Sequence, residues 1–293
     1  MTPTLNPVTA VTTWQFVPLV SVPLLLCAAA YLAGSRTVAR RHPARRWPRH
    51  RTAAFLAGLA AIAVAIQGSD GVYDDVLLRA HMVQHLLLIM TAPPLLGYGR
   101  PVTLLLHATR NPWHGWVIRV VRSRTAAALT WPPFTVALYS AVVLVTHLTP
   151  LILARGWLHD GEHLAYLVAG YLFFLPVVGS EPIRWRPSVL SRYLLLLAVM
   201  PADIVTGAAY MIARPFGGYG AADVHAAGVI MLAGSELIMT ALAVLLAVNL
   251  VRLPVAHGAA GGLRAYNAYL AALEAGRSRR VRGPARPDLV VSR

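Results

Sequence analysis

The stretch "HMVQHLLLIMTAPPLLGYGRP", residues 81–101, decides how this chain is read. It sets His81 and His85 four residues apart and then runs into an apolar segment of the length and composition that cross a lipid bilayer. A helix brings i and i+4 to one face, so the two imidazoles point the same way, roughly 6 Å apart along the axis. Such a pair can clamp a single metal ion.

The rest of the composition agrees with a bilayer setting. Of 293 residues, 57% are hydrophobic and 13% charged, with a mean hydropathy of +0.59, too apolar for a soluble domain of this length. The formal charge of +15 comes from 26 basic residues, all of them Arg, clustered between apolar runs. They read as topology signals rather than as a nucleic-acid surface, so no nucleic-acid partner is expected. Cys27 is the single cysteine, which leaves no disulfide and no CxxC motif. Any metal chemistry must use His, Met, Asp or Glu. The opening "MTPTLNPVTAVTTWQ" lacks the positive flank of a cleaved signal, so the first apolar run is expected to stay as a span.

The length template of about 20 apolar residues predicts an all-α polytopic membrane protein, a bundle of seven transmembrane helices. The spans fall near 15–35, 52–68, 79–97, 126–148, 159–179, 193–213 and 223–251. Seven Arg lie in 36–51, five in 100–124, three in 184–192 and eight from Arg252 onward, whereas the alternate connections hold Arg79, Arg155 and Arg214 alone. The positive-inside rule then puts the N-terminus outside and the C-terminus in the cytoplasm. Residues 1–14 become an external N-terminus, 15–251 the transmembrane domain and 252–293 a basic, disordered tail suited to anionic lipid. The segment 100–124, alternating basic and apolar with two Trp, predicts an interfacial helix on the cytoplasmic side that keeps His107 and His114 away from any site.

With this orientation, His81 and His85 open the third span from outside, His147 closes the fourth, His159 and His163 open the fifth, and Asp223 and His225 open the seventh. Each alone is an ordinary amphipathic side chain at a wet boundary. Seven groups from four helices in one layer point instead to a shared metal site, because ionisable groups in spans tend to face the bundle interior and mark function. Asp203 and Glu236 lie deeper, Glu236 about 16 Å further in than His225, and are expected to be proton-relay groups or, more plainly, protonated hydrogen-bond partners. Met200, Met231 and Met239 read as packing filler, with Met211 the thioether best placed for copper. The prolines of "TAPPLLG" and "TWPPF" predict kinks in the third and fourth spans.

The quoted stretch, together with "THLTP" (146–150), "HDGEHLAYLVAGYLFFLPVVGSEP" (159–182) and "DVHAAGVIM" (223–231), resembles the CtaG family of bacterial cytochrome c oxidase assembly factors, the seven-span type, over roughly residues 70–250. The resemblance implies a non-enzymatic role in maturing a haem-copper oxidase, by binding or delivering copper at the outer face of the cytoplasmic membrane. It implies oxidase subunits, and a copper chaperone, as partners. It carries site roles onto His81, His85, His147, His159, His163 and Asp223. Where the family often has Gln after that Asp, this chain has Val224 and then His225.

Imidazoles bind copper and also zinc, and a site without thiolate releases its metal more readily. Binding needs neutral rings, so affinity should fall as pH drops through about 6.5. Two other chemistries use similar residues. A zinc hydrolase would take Asp223 as base, and a bis-His haem b protein would need His on two facing helices about 10 Å apart.

Overall fold

A computed structural model describes residues 12–41, 46–74, 76–153 and 156–252, and all regular structure among them is helical. Residues 1–11 of the expected external segment and 253–293 of the expected tail lie outside the described residues. The chain divides after Val244 into two units. The packing below is that of the first; of the second, only the run of the last helix to Arg252 is described.

The helices are α1 (Pro18–Arg41), α2 (Arg49–Gln67), α3 (Ser69–Tyr73), α4 (Leu78–Leu86), α5 (Ala92–Tyr98), α6 (Pro101–Ala108), α7 (Trp113–Val121), α8 (Arg124–Leu129), α9 (Pro132–Leu148), α10 (Trp157–Val178), α11 (Val189–Ile212) and α12 (Ala221–Arg252). Among the described residues, five helical runs are long and apolar enough to cross a membrane: α1, α2 extended through α3, α10, α11, and α12 through Val248. The chain is a multi-pass membrane protein. Two of the seven expected spans take another form. The third is interrupted, α4 and α5 being joined by a π-helical turn at Leu87–Thr91, and the fourth is the 17-residue α9.

Proline placement explains both. Pro93 and Pro94 have no N–H to return to Ile89 and Met90, so the α-helical ladder cannot pass them unchanged and the helix widens by one residue just before them. Pro132 and Pro133 instead occupy the first turn of α9, where a missing N–H does no harm. The kink expected from "TWPPF" is therefore a helix start, and 124–129 form the separate α8, capped by Ser123 Oγ, which accepts from Ala126 N at 3.0 Å. Residues 100–124 likewise form two short helices, α6 and α7, rather than one.

The core runs along α10. Tyr166, Phe173 and Phe174 are fully buried, with Tyr139 of α9 against Phe173 at a ring separation of 5.0 Å and Met82, Leu88, Ile89 and Met90 opposite. Gly170 makes this approach close: a Cβ there would stand 2.8 Å from Pro93 Cγ and would also meet the Ile89 carbonyl oxygen, one of those the prolines leave unpaired within the helix. Small residues do the same between α11 and α12, where a Cβ on Gly228 would lie 2.7 Å from the Gly207 carbonyl oxygen. The result holds α4 and α10 side by side, with the first turns of both at one end of the bundle.

Candidate metal centre

The i, i+4 spacing resolves into two facing pairs. On α4 the rings of His81 and His85 are 4.0 Å apart, and on α10 those of His159 and His163 are 4.2 Å apart. Across the helix interface His81 stacks on His159 at 5.2 Å and His85 faces His163 at 6.3 Å. His81, His85 and His163 are buried, while the His159 side chain keeps 12% of its surface exposed.

Two carboxylates join them. Glu162 lies between the α10 histidines in sequence and turns toward α4, its Oε1 3.8 Å from His85 Nε2 and its Oε2 3.7 Å from His159 Nδ1. Asp74, after α3, places Oδ2 3.1 Å from His159 Nε2 and accepts from Gln84 Nε2 at 3.2 Å, the same amide that donates to Ala65 O at 3.1 Å. Ligand atoms of His81, His85 and Glu162 all lie within 4.8 Å of one another, and so do those of Asp74, His159 and His163.

These donors fit a cation. His85 Nε2, His163 Nε2 and Glu162 Oε2 are buried with no hydrogen-bond partner. Buried polar atoms are normally paired, and leaving one unpaired costs about 1–3 kcal/mol. A bound metal would satisfy nitrogen and oxygen together, and imidazole with carboxylate suits copper or zinc.

The surroundings fix which nitrogen of His85 is available. His147 Nδ1 lies 2.8 Å from the Val143 carbonyl oxygen, which can only accept, so Nδ1 carries the proton. With that ring neutral, His147 Nε2 accepts from His85 Nδ1 at 3.0 Å, and the lone pair of His85 is left on Nε2, toward Glu162. Tyr166 closes the rear: its hydroxyl donates to Glu162 Oε1 at 3.0 Å, lies 3.2 Å from His147 Nδ1 and contacts Thr146 Oγ1. Tyr210 OH donates to the His147 carbonyl at 2.7 Å, tying α9 to α11 behind the cluster.

Of the seven residues expected in one layer, His81, His85, His159 and His163 converge, and His147 stands directly behind His85 with both nitrogens engaged. Asp223 and His225 stand apart. Asp223 Oδ2 accepts from Leu78 N at 2.6 Å, capping α4 from another helix, and its Oδ1 is 3.6 Å from Arg79 Nε. His225 is exposed, and so is Met211. Asp203 is buried, with neither carboxylate oxygen hydrogen-bonded, while Glu236 is half-buried. His114 Nδ1 bonds Leu106 O at 2.9 Å and His107 packs near Trp47, both among the arginine-rich connections.

Glu162 and Asp74 were not singled out from sequence. Glu162 had a signal: "HDGEH" puts a carboxylate at i+3 of His159, on the same side of the helix as that histidine. Asp74 had none, because only tertiary packing brings it to α10.

Residues 29–253 match the family described as cytochrome c oxidase caa3 assembly factor (Caa3_CtaG). Among curated proteins, an uncharacterized protein of Mycobacterium leprae (strain TN) is 30% identical over 210 residues, 68% of this chain and 32% of its own length. One from Mycobacterium bovis (strain ATCC BAA-935 / AF2122/97) is 31% identical, also over 210 residues, 68% of this chain and 32% of its own length. The chain thus spans about a third of the length of the curated relatives it matches. No solved structure matches it.

Proposed function

This chain belongs to the CtaG family of cytochrome c oxidase caa3 assembly factors, and on that premise we propose that it holds copper at the outer face of a bacterial cytoplasmic membrane and passes it to an oxidase under assembly. The observation that carries this reading is the meeting of two HxxxH faces around two buried carboxylates, with unpartnered nitrogen and oxygen atoms turned toward each other. His81, His85, His159, His163, Glu162 and Asp74 are the ligand set. His147 holds His85 in its binding tautomer, and Asp223 positions α4.

Copper is cargo in this scheme. A cluster without thiolate binds it less tenaciously than a cysteine site and can release it to an oxidase subunit, after loading by a copper chaperone. Seven crossings, with α4–α5 and α9 counted as spans, put the N-terminal end of α1 and the histidine cluster outside and the arginine-rich connections in the cytoplasm. The segments themselves support that order. The C-terminal end of α9 and the N-terminal ends of α4 and α10 share the histidine end, as alternating crossings require.

Asp223, the base a zinc hydrolase would need, is taken up by Leu78 N and Arg79. A porphyrin would have to displace the rings of His81, His147 and Tyr166, which pack around His85 at 4.0, 4.9 and 4.2 Å. Complementation of a deletion strain tests the assembly role. Wild type should restore cytochrome c oxidase activity and His81→Ala with His85→Ala should not; equal rescue by both removes the site, and normal oxidase in the deletion strain removes the role.

A further inference from the structure

We propose that the cluster holds two metal ions side by side, one on His81, His85 and Glu162 and one on His159, His163 and Asp74, with the Glu162 carboxylate between them. This rests on the metal-handling reading above and adds the number of ions and the residue that joins them.

Six donors exceed the four that a copper or zinc ion takes in a closed site. They also fall into two sets rather than one. Each set has two imidazoles from one helix turn and one carboxylate, and each draws its ligand atoms within 4.8 Å of one another. The three donors of each set leave a fourth position, open on the first ion and filled on the second by the shared Glu162 oxygen, which would have to give way for that ion to exchange a ligand.

Glu162 belongs to both. Its two oxygens diverge, Oε1 toward His85 Nε2 at 3.8 Å and Oε2 toward His159 Nδ1 at 3.7 Å, so one carboxylate addresses an imidazole of each set. Tyr166 fixes the orientation by donating to Oε1. A bridging carboxylate needs this divergence; a hydrogen-bond acceptor for a single histidine does not. Charge agrees as well, since Glu162 and Asp74 supply two negative charges in a buried site and two monovalent copper ions would balance them.

The two sets differ in access. The His81 set is wholly buried, whereas His159 reaches the surface. The second ion is the one that meets an outside donor or acceptor, and the first lies behind it.

The test is copper per chain in the full-length protein, purified in detergent, loaded anaerobically with Cu(I), freed of excess by gel filtration and measured by mass spectrometry. Wild type should hold about two, and His81→Ala with His85→Ala, or His159→Ala with His163→Ala, about one each. X-ray absorption should show a metal–metal vector at about 3.5–4 Å in the wild type. One copper in the wild type overturns the two-ion inference while leaving the metal reading intact; none overturns both. Two coppers in either double variant would place the metal elsewhere and also overturn it. If a double variant does not fold, the wild-type count and the metal–metal vector decide alone.

Discussion

At the end of the bundle where α1 meets α2 and α5 meets α6, polar side chains serve mostly the backbone, with Trp47 Nε1 to Tyr31 OH and Thr103 Oγ1 to Glu181 as the side-chain pairs. Arg41 Nη1 donates to Ala108 O at 2.6 Å, Tyr31 OH to Gly99 O at 2.6 Å, Ser180 Oγ to Gly97 O at 2.7 Å and Trp185 Nε1 to Ala127 O at 2.6 Å. Glu181 accepts from Val102 N and Thr103 N at 2.8 and 3.0 Å, covering the bare first turn of α6 just after Arg100 turns the chain at a φ of 54°. At the other end, side chains meet side chains: His85 with His147, Tyr166 with Glu162, Asp74 with His159, and several buried atoms remain unpartnered. The usual pattern is the first, since most side-chain hydrogen bonds go to backbone or water. The second is the pattern expected where stability is given up for binding, and it is what marks the histidine end as the proposed site.

The sharpest way to break this contrast is to disturb what holds α10 against α4 and α5. Gly170→Val would drive a branched side chain into Pro93 and the Ile89 carbonyl, destabilising the fold by about 3 kcal/mol. Thermal unfolding in detergent should show the loss, and metal binding should fail with it, whereas the same change at Gly161, where a Cβ meets nothing within 4 Å, should leave stability nearly unaltered. Next in size, Tyr166→Phe removes the hydroxyl that orients Glu162 and should weaken copper affinity about 10–100-fold with the fold intact. Competitive titration against a chelator measures it, and an unchanged affinity would return Glu162 to a merely structural role.

Asp223→Ala should lower stability by about 1 kcal/mol through the lost cap on α4 and leave bound copper unchanged. A drop in copper content at full occupancy of folded protein would instead make Asp223 a ligand. The smallest effect belongs to the arginine end. Burial pushes the Glu181 carboxyl above its ordinary value of 4.5, so the folded chain retains a proton there that the unfolded chain has lost. Stability from this group should therefore fall as pH rises from about 4.5 through the folded value, and Glu181→Gln should flatten that slope without changing copper binding.

How much of this was legible in the sequence follows from the range of the forces involved. Helix spacing alone aligned His81 with His85 and His159 with His163, because a 3.6-residue repeat acts locally. The positions of the apolar runs followed from length and hydropathy, and α10, α11 and α12 begin and end within a few residues of expectation. Rotation of a helix about its axis is a tertiary quantity. Asp223 and His225 are two residues apart in one turn, yet Asp223 turns toward α4 and His225 to the surface. Asp74 joins His159 across 85 positions of chain, beyond any periodicity. The split of residues 124–148 into α8 and α9 was written in Pro132 and Pro133, read as a kink when their placement at a first turn was the alternative.

The π turn at Leu87–Thr91 works as a phase adjuster. One residue more than an α-helical turn sets the angular offset between the half that carries His81 and His85 and the half that packs on α2 and Gly170. A straight helix that kept the lower face in contact would swing the imidazoles by about 100°, away from α10. Removing a single residue there would thus dismantle the site while sparing every side chain that composes it.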